Sequence, residues 1–186
     1  MSKILLDVPY LTQLDSATDQ AMRMCFSSSC SMMLNFLKPN AITGKGQKDD
    51  IYLLKLNALG WDSTNPRGQL ATLKSYGLDA TYHQDGSWTQ VDNQLKLGIP
   101  VPIGILHHGH VSKPTGGGHW VLVVGKSEDG KVYYVNDPAG ELDLVNGGYT
   151  INNNGKMRHY SKDNLGKRWM VEGNGTGWYI SGKKPK

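Results

Sequence analysis

The hydrophobic positions of this chain change their spacing near its middle. In the N-terminal half they recur at helical intervals, and Phe26, Cys30 and Met33 lie on one apolar stripe. The stripe predicts a buried helix that begins at Cys25 and ends before Pro39, because proline cannot continue a helix. Three further helices are predicted at residues 48–60, 69–76 and 87–97, and a turn at residues 65–68. Each of the three ends at or beside a glycine, which readily adopts the left-handed conformation found after many helices.

The C-terminal half carries short, nearly continuous apolar runs, which are typical of strands. Strands are predicted at residues 99–106, 119–124, 131–136 and 177–180, in addition to an extended segment at 3–12 and a strand at 78–83. Asp129-Gly130 favours a hairpin turn, residues 107–118 read as a flexible loop, and a short helix is expected within 160–170. The order predicts an α+β domain, with N-terminal helices packed on a C-terminal antiparallel sheet. We expect one domain at residues 1–182 and a basic tail at 183–186.

Composition and charge restrict the class of protein. The chain has 186 residues, of which 38% are hydrophobic and 19% charged, as in a globular domain. The sequence has neither the roughly eighteen consecutive apolar residues of a membrane span nor a signal peptide. We therefore expect a protein made in the cytoplasm, monomeric and without stable membrane insertion.

The net charge of +4 favours an anionic partner such as a cell-wall polymer. Much of the excess lies near the C-terminus, at Lys156, Arg158, Lys162, Lys167 and Arg168. The tail at 183–186 is interpreted as a solvated segment that aids solubility. No motif typical of nucleic-acid binding is present, so no nucleic-acid partner is expected.

The two cysteines have different predicted roles. Five positions apart on one helix, Cys25 and Cys30 are separated by roughly 8 Å, too far for a disulfide. Cys30 belongs to the apolar stripe and reads as a buried core residue. Cys25 lies in the first helical turn, where free backbone N–H groups stabilise an anion. The hypothesis is that Cys25 is a nucleophile with a lowered pKa.

A nucleophilic cysteine needs a base, and that base needs an acceptor that orients it. His119 opens one strand of the predicted hairpin and Asp137 follows the other, so both are expected opposite each other at its open end. The alternatives are a packed histidine and an aspartate that caps a turn. His107, His108, His110 and His119 could instead form a metal site, but they lack a carboxylate or cysteine at convincing spacing.

Four segments together resemble the papain-like cysteine peptidases, most closely the branch related to bacteriocin-leader-processing peptidases. They are Val8–Gln13, the Cys25 helix, Gly118–Gly125 and Val135–Pro138. The resemblance covers residues 8–180 and implies a catalytic triad of Cys25, His119 and Asp137. It further implies an oxyanion-hole glutamine at Gln13, with Gln20 as the alternative. Many members have Cys-Gly-Pro at the nucleophile, whereas this chain has Cys25-Phe26-Ser27.

The resemblance implies hydrolysis of amide bonds without a metal or other cofactor. The C-terminal segment of this chain, Arg168–Trp178, is similar to the C-terminal segments of phage and bacterial members of the family, including phage lysins. The expected substrate is the peptide cross-link of peptidoglycan, reached after holin-type release to the cell wall. The alternatives are a protein-processing or effector protease, a catalytically silent cell-wall-binding module, and a transferase that uses the same triad. Trp169 and Trp178 are expected to pack in the core rather than contact a ligand.

Overall fold

A computed structural model describes residues 2–18, 20–151 and 154–185. In these ranges helices cover both faces of an antiparallel sheet. The helices are α1 (Cys25–Leu37), α2 (Lys48–Ala58), α3 (Pro66–Ser75), α4 (Trp88–Lys96) and α5 (Lys162–Trp169), and short 3-10 helices lie at Gln13–Asp15 and Ala21–Arg23. The strands are β1 (Ile4–Leu5), β2 (Ala80–Gly86), β3 (Val101–Ile105), β4 (His119–Lys126), β5 (Val132–Asn136), β6 (Glu141–Leu142), β7 (Tyr149–Ile151), β8 (Arg158–Ser161) and β9 (Gly177–Gly182).

The main sheet has the strand order β2-β9-β3-β4-β5-β8, and β1 pairs with the end of β4. Strand β4 lies at its centre, with Ile105 of β3 opposite His119 and Asn136 of β5 opposite Leu122. A bulge interrupts the β4–β5 ladder between Val123 and Gly125. Strands β6 and β7 form a separate two-stranded hairpin beside the end of β5. Because β4 and β5 are antiparallel, the first residue of β4 and the residue after β5 lie at the same end of these two strands.

Two apolar clusters hold the helices on the sheet. On one face Trp120, Leu122 and Val124 of β4 pack with α1, α2 and α3. On the other face Val121 and Val123 pack with α4 and α5. All eight residues of β4 are buried, which explains why the sequence shows a continuous apolar run there rather than an alternating one.

Helix α1 is fixed by polar contacts as well as by packing. The Phe26 ring stacks on Trp120 with 3.7 Å between ring centroids. The following serines are buried and find partners inside the protein: Ser28 donates to Asp49 Oδ2 at 2.9 Å, and Ser29 donates to the Trp120 carbonyl at 3.2 Å. Ser27 accepts from Gln69 Nε2 at 2.9 Å. The serine run after Cys25 therefore ties α1 to the rest of the fold.

The predicted α+β class and the helix from Cys25 to Leu37 are confirmed. The predicted turn at residues 65–68 is wrong, because Asn65 caps α3 by accepting from the Arg67 N–H and Pro66 occupies its first position. The extended segment at 3–12 contributes only the two residues of β1, and the strand expected at 78–83 runs from Ala80 to Gly86. Strands β6, β7 and β8 were not predicted.

Helices long and apolar enough to span a bilayer do not occur in the described part of the chain. The expected basic tail is described up to residue 185, and the Lys183 N–H donates to the Asp79 carbonyl at 3.0 Å. Lys186 lies outside the described residues. The expectation of one domain at 1–182 stays a prediction.

Candidate active site

Cys25 is the first residue of α1, as the sequence predicts. Its helix has no side-chain cap and no acidic residue in the first turn, so the N-terminal N–H groups remain available to an anion. The thiol is half-buried and lies beside His119. Burial raises the pKa of Cys25, but the hydrogen bond and the charge of the His119 imidazole, with the N–H groups of Trp120 and Phe26, lower it below its ordinary value. The site favours a thiolate.

His119 opens β4 and is buried between Cys25 and Asp137. Its Nε2 lies 2.9 Å from Asp137 Oδ1, which leaves Nδ1 as the nitrogen available to the thiol. Burial lowers the pKa of His119, but the Asp137 carboxylate and Cys25 more than offset this and raise the pKa to about 10. The ring is therefore an imidazolium at neutral pH, which pairs with a thiolate.

Asp137 follows the last residue of β5 and is completely buried. The predicted hairpin register is wrong: Leu122, not residue 120, lies opposite Asn136, so His119 and Asp137 are not directly opposite each other. The offset begins at the turn, where the Ser127 N–H donates to the Val132 carbonyl and Lys126 pairs with Tyr133, and the bulge in β4 reduces it by one residue. The two side chains still meet, because Asp137 has left the strand and its carboxylate reaches across to the end of β4.

Two tyrosines that the sequence does not predict as site residues complete the surroundings of Asp137. The Tyr160 hydroxyl donates to Oδ2 at 2.7 Å, and the Tyr149 hydroxyl lies 3.2 Å from each carboxylate oxygen. The Ala139 N–H donates to Oδ1 at 3.0 Å. Tyr149 and Tyr160 come from β7 and β8, which no apolar periodicity announces.

Gln13 is buried in the first 3-10 helix. Its backbone N–H donates to the Pro138 carbonyl at 2.9 Å, which places it beside the residue that follows Asp137. Its side-chain Nε2 donates to the Ala21 carbonyl at 2.9 Å, while Oε1 has no hydrogen-bond partner among the described residues. Gln20 is half-buried and caps the second 3-10 helix without a side-chain hydrogen bond to it. An oxyanion role for either glutamine stays a prediction.

A cavity of about 230 Å³ opens beside Cys25 and His119. The α1 side, the end of β3, the loop before β4 and the segment after α5 line it, with contributions from Arg23, Phe26, Leu106, Gly117, Gly118, Trp120, Trp169, Val171, Glu172 and Trp178. The core-packing prediction is right for Trp169, which is 2% exposed, and wrong for Trp178, which is 50% exposed. Trp178 lies on β9, between β2 and β3, and lines the cavity, while its carbonyl accepts from the Trp169 indole N–H at 2.8 Å.

The histidine-containing loop is anchored by backbone and side-chain contacts. His108 and Thr115 exchange backbone hydrogen bonds, and the buried Arg168 guanidinium donates to the carbonyls of Leu106, His108 and Gly109. The His107 ring lies 5.0 Å from the His119 ring, and burial together with the charge of His119 lowers its pKa to about 4. No three His, Cys, Asp or Glu side chains of the described residues are grouped as a metal site would require.

Arg168 was assigned by the sequence to the basic surface, and this is wrong. The residue is completely buried in α5 and has no carboxylate within ion-pair distance among the described residues. Its Nε–H donates to the Leu144 carbonyl, while the other guanidinium nitrogens bind the three loop carbonyls. Its helix position, flanked by the apolar Leu165 and Trp169, was the available signal that it faces inward.

Solved structures with the same fold include two peptidases and a protein from C. elegans. A protein described as a C39-like peptidase from Bacillus anthracis is 16% identical, with a TM-score of 0.64 and complete coverage of both chains. A double glycine motif protease from an AMS/PCAT transporter, solved with its leader peptide, is 17% identical, with a TM-score of 0.53 over 100% of this chain and 99% of that one. UfSP from C. elegans is 14% identical, with a TM-score of 0.55 over 100% of this chain and 35% of that one.

These likenesses show the papain-like fold. A comparison with curated protein sequences gives no significant match. A family model does match, and it covers residues 5–175, from β1 to the loop before β9. The chain therefore belongs to the Peptidase_C39 like family of papain-like cysteine peptidases.

Proposed function

We propose that Cys25, His119 and Asp137 form a catalytic triad that hydrolyses amide bonds. The observation that carries the proposal is the chain of contacts where β4 begins and β5 ends. Asp137 accepts from His119 Nε2 at 2.9 Å, and His119 lowers the pKa of the Cys25 thiol. Asp137 fixes the orientation of the imidazole, and the imidazolium stabilises the thiolate. A catalytically silent module would have no need of this arrangement.

The reaction proceeds in two acyl-transfer steps. The Cys25 thiolate attacks the carbonyl carbon of the scissile amide, and the carbonyl electrons move to its oxygen. When the tetrahedral intermediate collapses, the C–N bond breaks and His119 gives its proton to the leaving amine. His119 then accepts a proton from water, which attacks the thioester and releases the acid and the thiolate.

The negatively charged oxygen of the tetrahedral intermediate, the oxyanion, needs hydrogen-bond donors. The Cys25 backbone N–H at the free end of α1 is one donor, and Gln13 Nε2 is the second. A primary amide has two N–H bonds, so Gln13 keeps one on the Ala21 carbonyl and offers the other to the oxyanion. Loss of such a donor lowers kcat by roughly 10²- to 10³-fold in other hydrolases.

The substrate class that we propose is the peptide cross-link of bacterial cell wall, reached after holin-type release. The net charge of +4 supports an anionic polymer, and the cavity beside Cys25 is large enough for a peptide side chain. The rival is a protein-processing protease. In its support, a structure with the same fold was solved in complex with a leader peptide.

The test is lysis of purified peptidoglycan sacculi by wild type, Cys25→Ala and Cys30→Ala. We expect wild type and Cys30→Ala to solubilise sacculi and to release fragments with new amino and carboxyl ends in mass spectrometry. Cys25→Ala should retain no measurable activity. Activity in Cys25→Ala would contradict the triad, and cleavage of glycan strands would contradict the peptidase reaction. Intact sacculi together with cleavage of a Gly-Gly-containing leader peptide by wild type would favour the rival.

A further inference from the structure

Two buried hydroxyl groups meet at the Asp137 carboxylate from different strands. We propose that Tyr149 and Tyr160 are positioning residues, which act on His119 through Asp137 and so form part of the active centre. The proposal deepens the triad assignment and rests on it, but it makes no use of any particular substrate.

Among the described residues, four groups form hydrogen bonds with the Asp137 carboxylate. Oδ1 accepts from His119 and from the Ala139 N–H, at 2.9 and 3.0 Å. Oδ2 accepts from the Tyr160 hydroxyl at 2.7 Å, and Tyr149 lies 3.2 Å from both oxygens. The tyrosines are the only side chains of the described residues that hold Oδ2. Without them the carboxylate group is free to rotate about its Cβ–Cγ bond, and Oδ1 is no longer aimed at His119.

The hydroxyls act as permanent donors. Burial and the nearby Asp137 charge hold the pKa of Tyr149 and the pKa of Tyr160 far above the ordinary value for tyrosine. Both groups therefore keep their protons at neutral pH and past the ordinary tyrosine pKa of about 10, and each hydroxyl contacts the carboxylate. Charge-assisted hydrogen bonds of this type are about twice as strong as neutral ones.

The tyrosine from β7 also covers His119. The Tyr149 ring meets the His119 ring edge to face, with 5.6 Å between centroids and 78° between planes. The His107 ring lies 5.0 Å away on the loop before β4, and burial and the charge of His119 keep it neutral. Two further titratable groups lie nearby: the Tyr10 hydroxyl donates to the Asp137 backbone carbonyl at 2.6 Å rather than to the carboxylate, and the Glu141 carboxylate of β6 adds to the rise in the pKa of Tyr160. The neutral rings of Tyr149 and His107 thus pack beside the His119 ring.

The consequence concerns the proton on His119. The Asp137 carboxylate raises the pKa of His119 to about 10 against the effect of burial. A carboxylate that rotates or takes up water is a weaker partner, so the imidazolium should lose its proton at lower pH. A merely structural role for the tyrosines would lower the stability of the fold and leave the pKa of His119 unchanged.

The experiment measures alkylation of Cys25 by iodoacetamide from pH 5 to 11 and needs no substrate. In wild type the rate should change near pH 10, where His119 loses its proton and a free thiolate replaces the ion pair. In Tyr149→Phe and Tyr160→Phe we expect this change about one pH unit lower, which is about a tenfold change in the proton affinity of His119. Tyr149→Phe is the cleaner variant, since the Tyr160 hydroxyl also accepts from the Leu142 N–H at 2.9 Å.

Tyr133→Phe is the matched control. Its hydroxyl donates to a different carboxylate, Asp92 Oδ1, at 2.6 Å, so the variant removes a comparable hydrogen bond away from the site. It should leave the upper change near pH 10. An unchanged or higher midpoint in Tyr149→Phe would overturn the proposal, as would an equal shift in Tyr133→Phe. The pH profile of alkylation reports on Cys25 and His119 and involves no substrate. Its result therefore stands even if the protein does not cleave cell wall.

Discussion

At the scale of single residues, environment separates two thiols that share one helix. His119 lowers the pKa of Cys25, whereas burial raises the pKa of Cys30 well above its ordinary value. Cys30 is completely buried on the stripe that packs against β4, and only Cys25 borders the cavity. Reactivity thus depends on position in the helix: the first turn of α1 favours a thiolate, and its buried middle disfavours one.

This difference predicts selective modification. At pH 6 and with limiting iodoacetamide, we expect Cys25 to be alkylated at least about a hundredfold faster than Cys30, because the reactive species is the thiolate. Peptide mapping by mass spectrometry measures both sites in one sample. Cys30→Ala should react at the wild-type rate, and Cys25→Ala should lose the fast reaction. Equal labelling of both cysteines in folded protein would contradict a lowered pKa of Cys25.

Local rules predict Cys25, His119 and Asp137 as the candidate nucleophile, base and orienting carboxylate, but not the groups that hold them. Cys25 follows from a helix start, and His119 and Asp137 follow from the two strands that meet at the open end of a hairpin. Tyr149 and Tyr160 reach Asp137 only because β7 and β8 fold back beside β5, which depends on long-range pairing. Gly155 illustrates the same limit: a Cβ there would collide with the Asp137 carbonyl, a contact between residues that are far apart in sequence.

At the scale of elements, long periodic segments were predictable and short ones were not. Helix α1 spans 13 residues with a clear apolar stripe, and its predicted bounds are confirmed. Strands β6, β7 and β8 have two, three and four residues, too few to show an alternating pattern. Charge misled the prediction at α5, because the basic Arg168 faces the interior and joins this helix to the loop that carries His107.

The Arg168 contacts predict a large effect on stability. Arg168→Met would leave the carbonyls of Leu106, His108, Gly109 and Leu144 without their guanidinium donor. We expect the free energy of unfolding to fall by about 2–4 kcal/mol, since buried unpaired polar groups cost about 1–3 kcal/mol each and part of this is recovered by water.

Urea denaturation followed by tryptophan fluorescence measures the change. Lys167→Met is the control, because it removes the same charge from the adjacent, exposed position of α5. It should change the free energy of unfolding by less than about 0.5 kcal/mol. Similar effects of the two substitutions would show that Arg168 acts through the net charge rather than through its carbonyl contacts.

At the scale of the whole molecule, α1 connects the candidate active site to a buried acid one turn further along the helix. Cys25 faces the cavity, and Ser28, one turn later, donates to the carboxylate of Asp49 in α2 at 2.9 Å. Asp49 is completely buried, and burial raises its pKa from 3.8 to about 6. One end of α1 thus stabilises an anion, while its packing against α2 disfavours another.

The raised pKa of Asp49 predicts how the stability of the whole fold depends on pH. A carboxyl whose pKa is higher in the folded than in the unfolded state binds its proton more tightly when folded. Its contribution to stability is therefore full below about pH 4 and is lost as the pH rises through about 6.

Asp49→Asn removes this dependence and keeps an oxygen for the Asp50 N–H, which in the wild type donates to Asp49 Oδ1 at 3.1 Å. The free energy of unfolding of the variant, relative to wild type, should increase by about 1–3 kcal/mol between pH 4 and pH 7. Urea denaturation at both pH values gives this difference, and Asp7→Asn, at an exposed carboxylate, controls for the loss of one negative charge. A relative stability of Asp49→Asn that is the same at pH 4 and pH 7 would mean that the interior of α1 and α2 accepts the Asp49 charge without penalty.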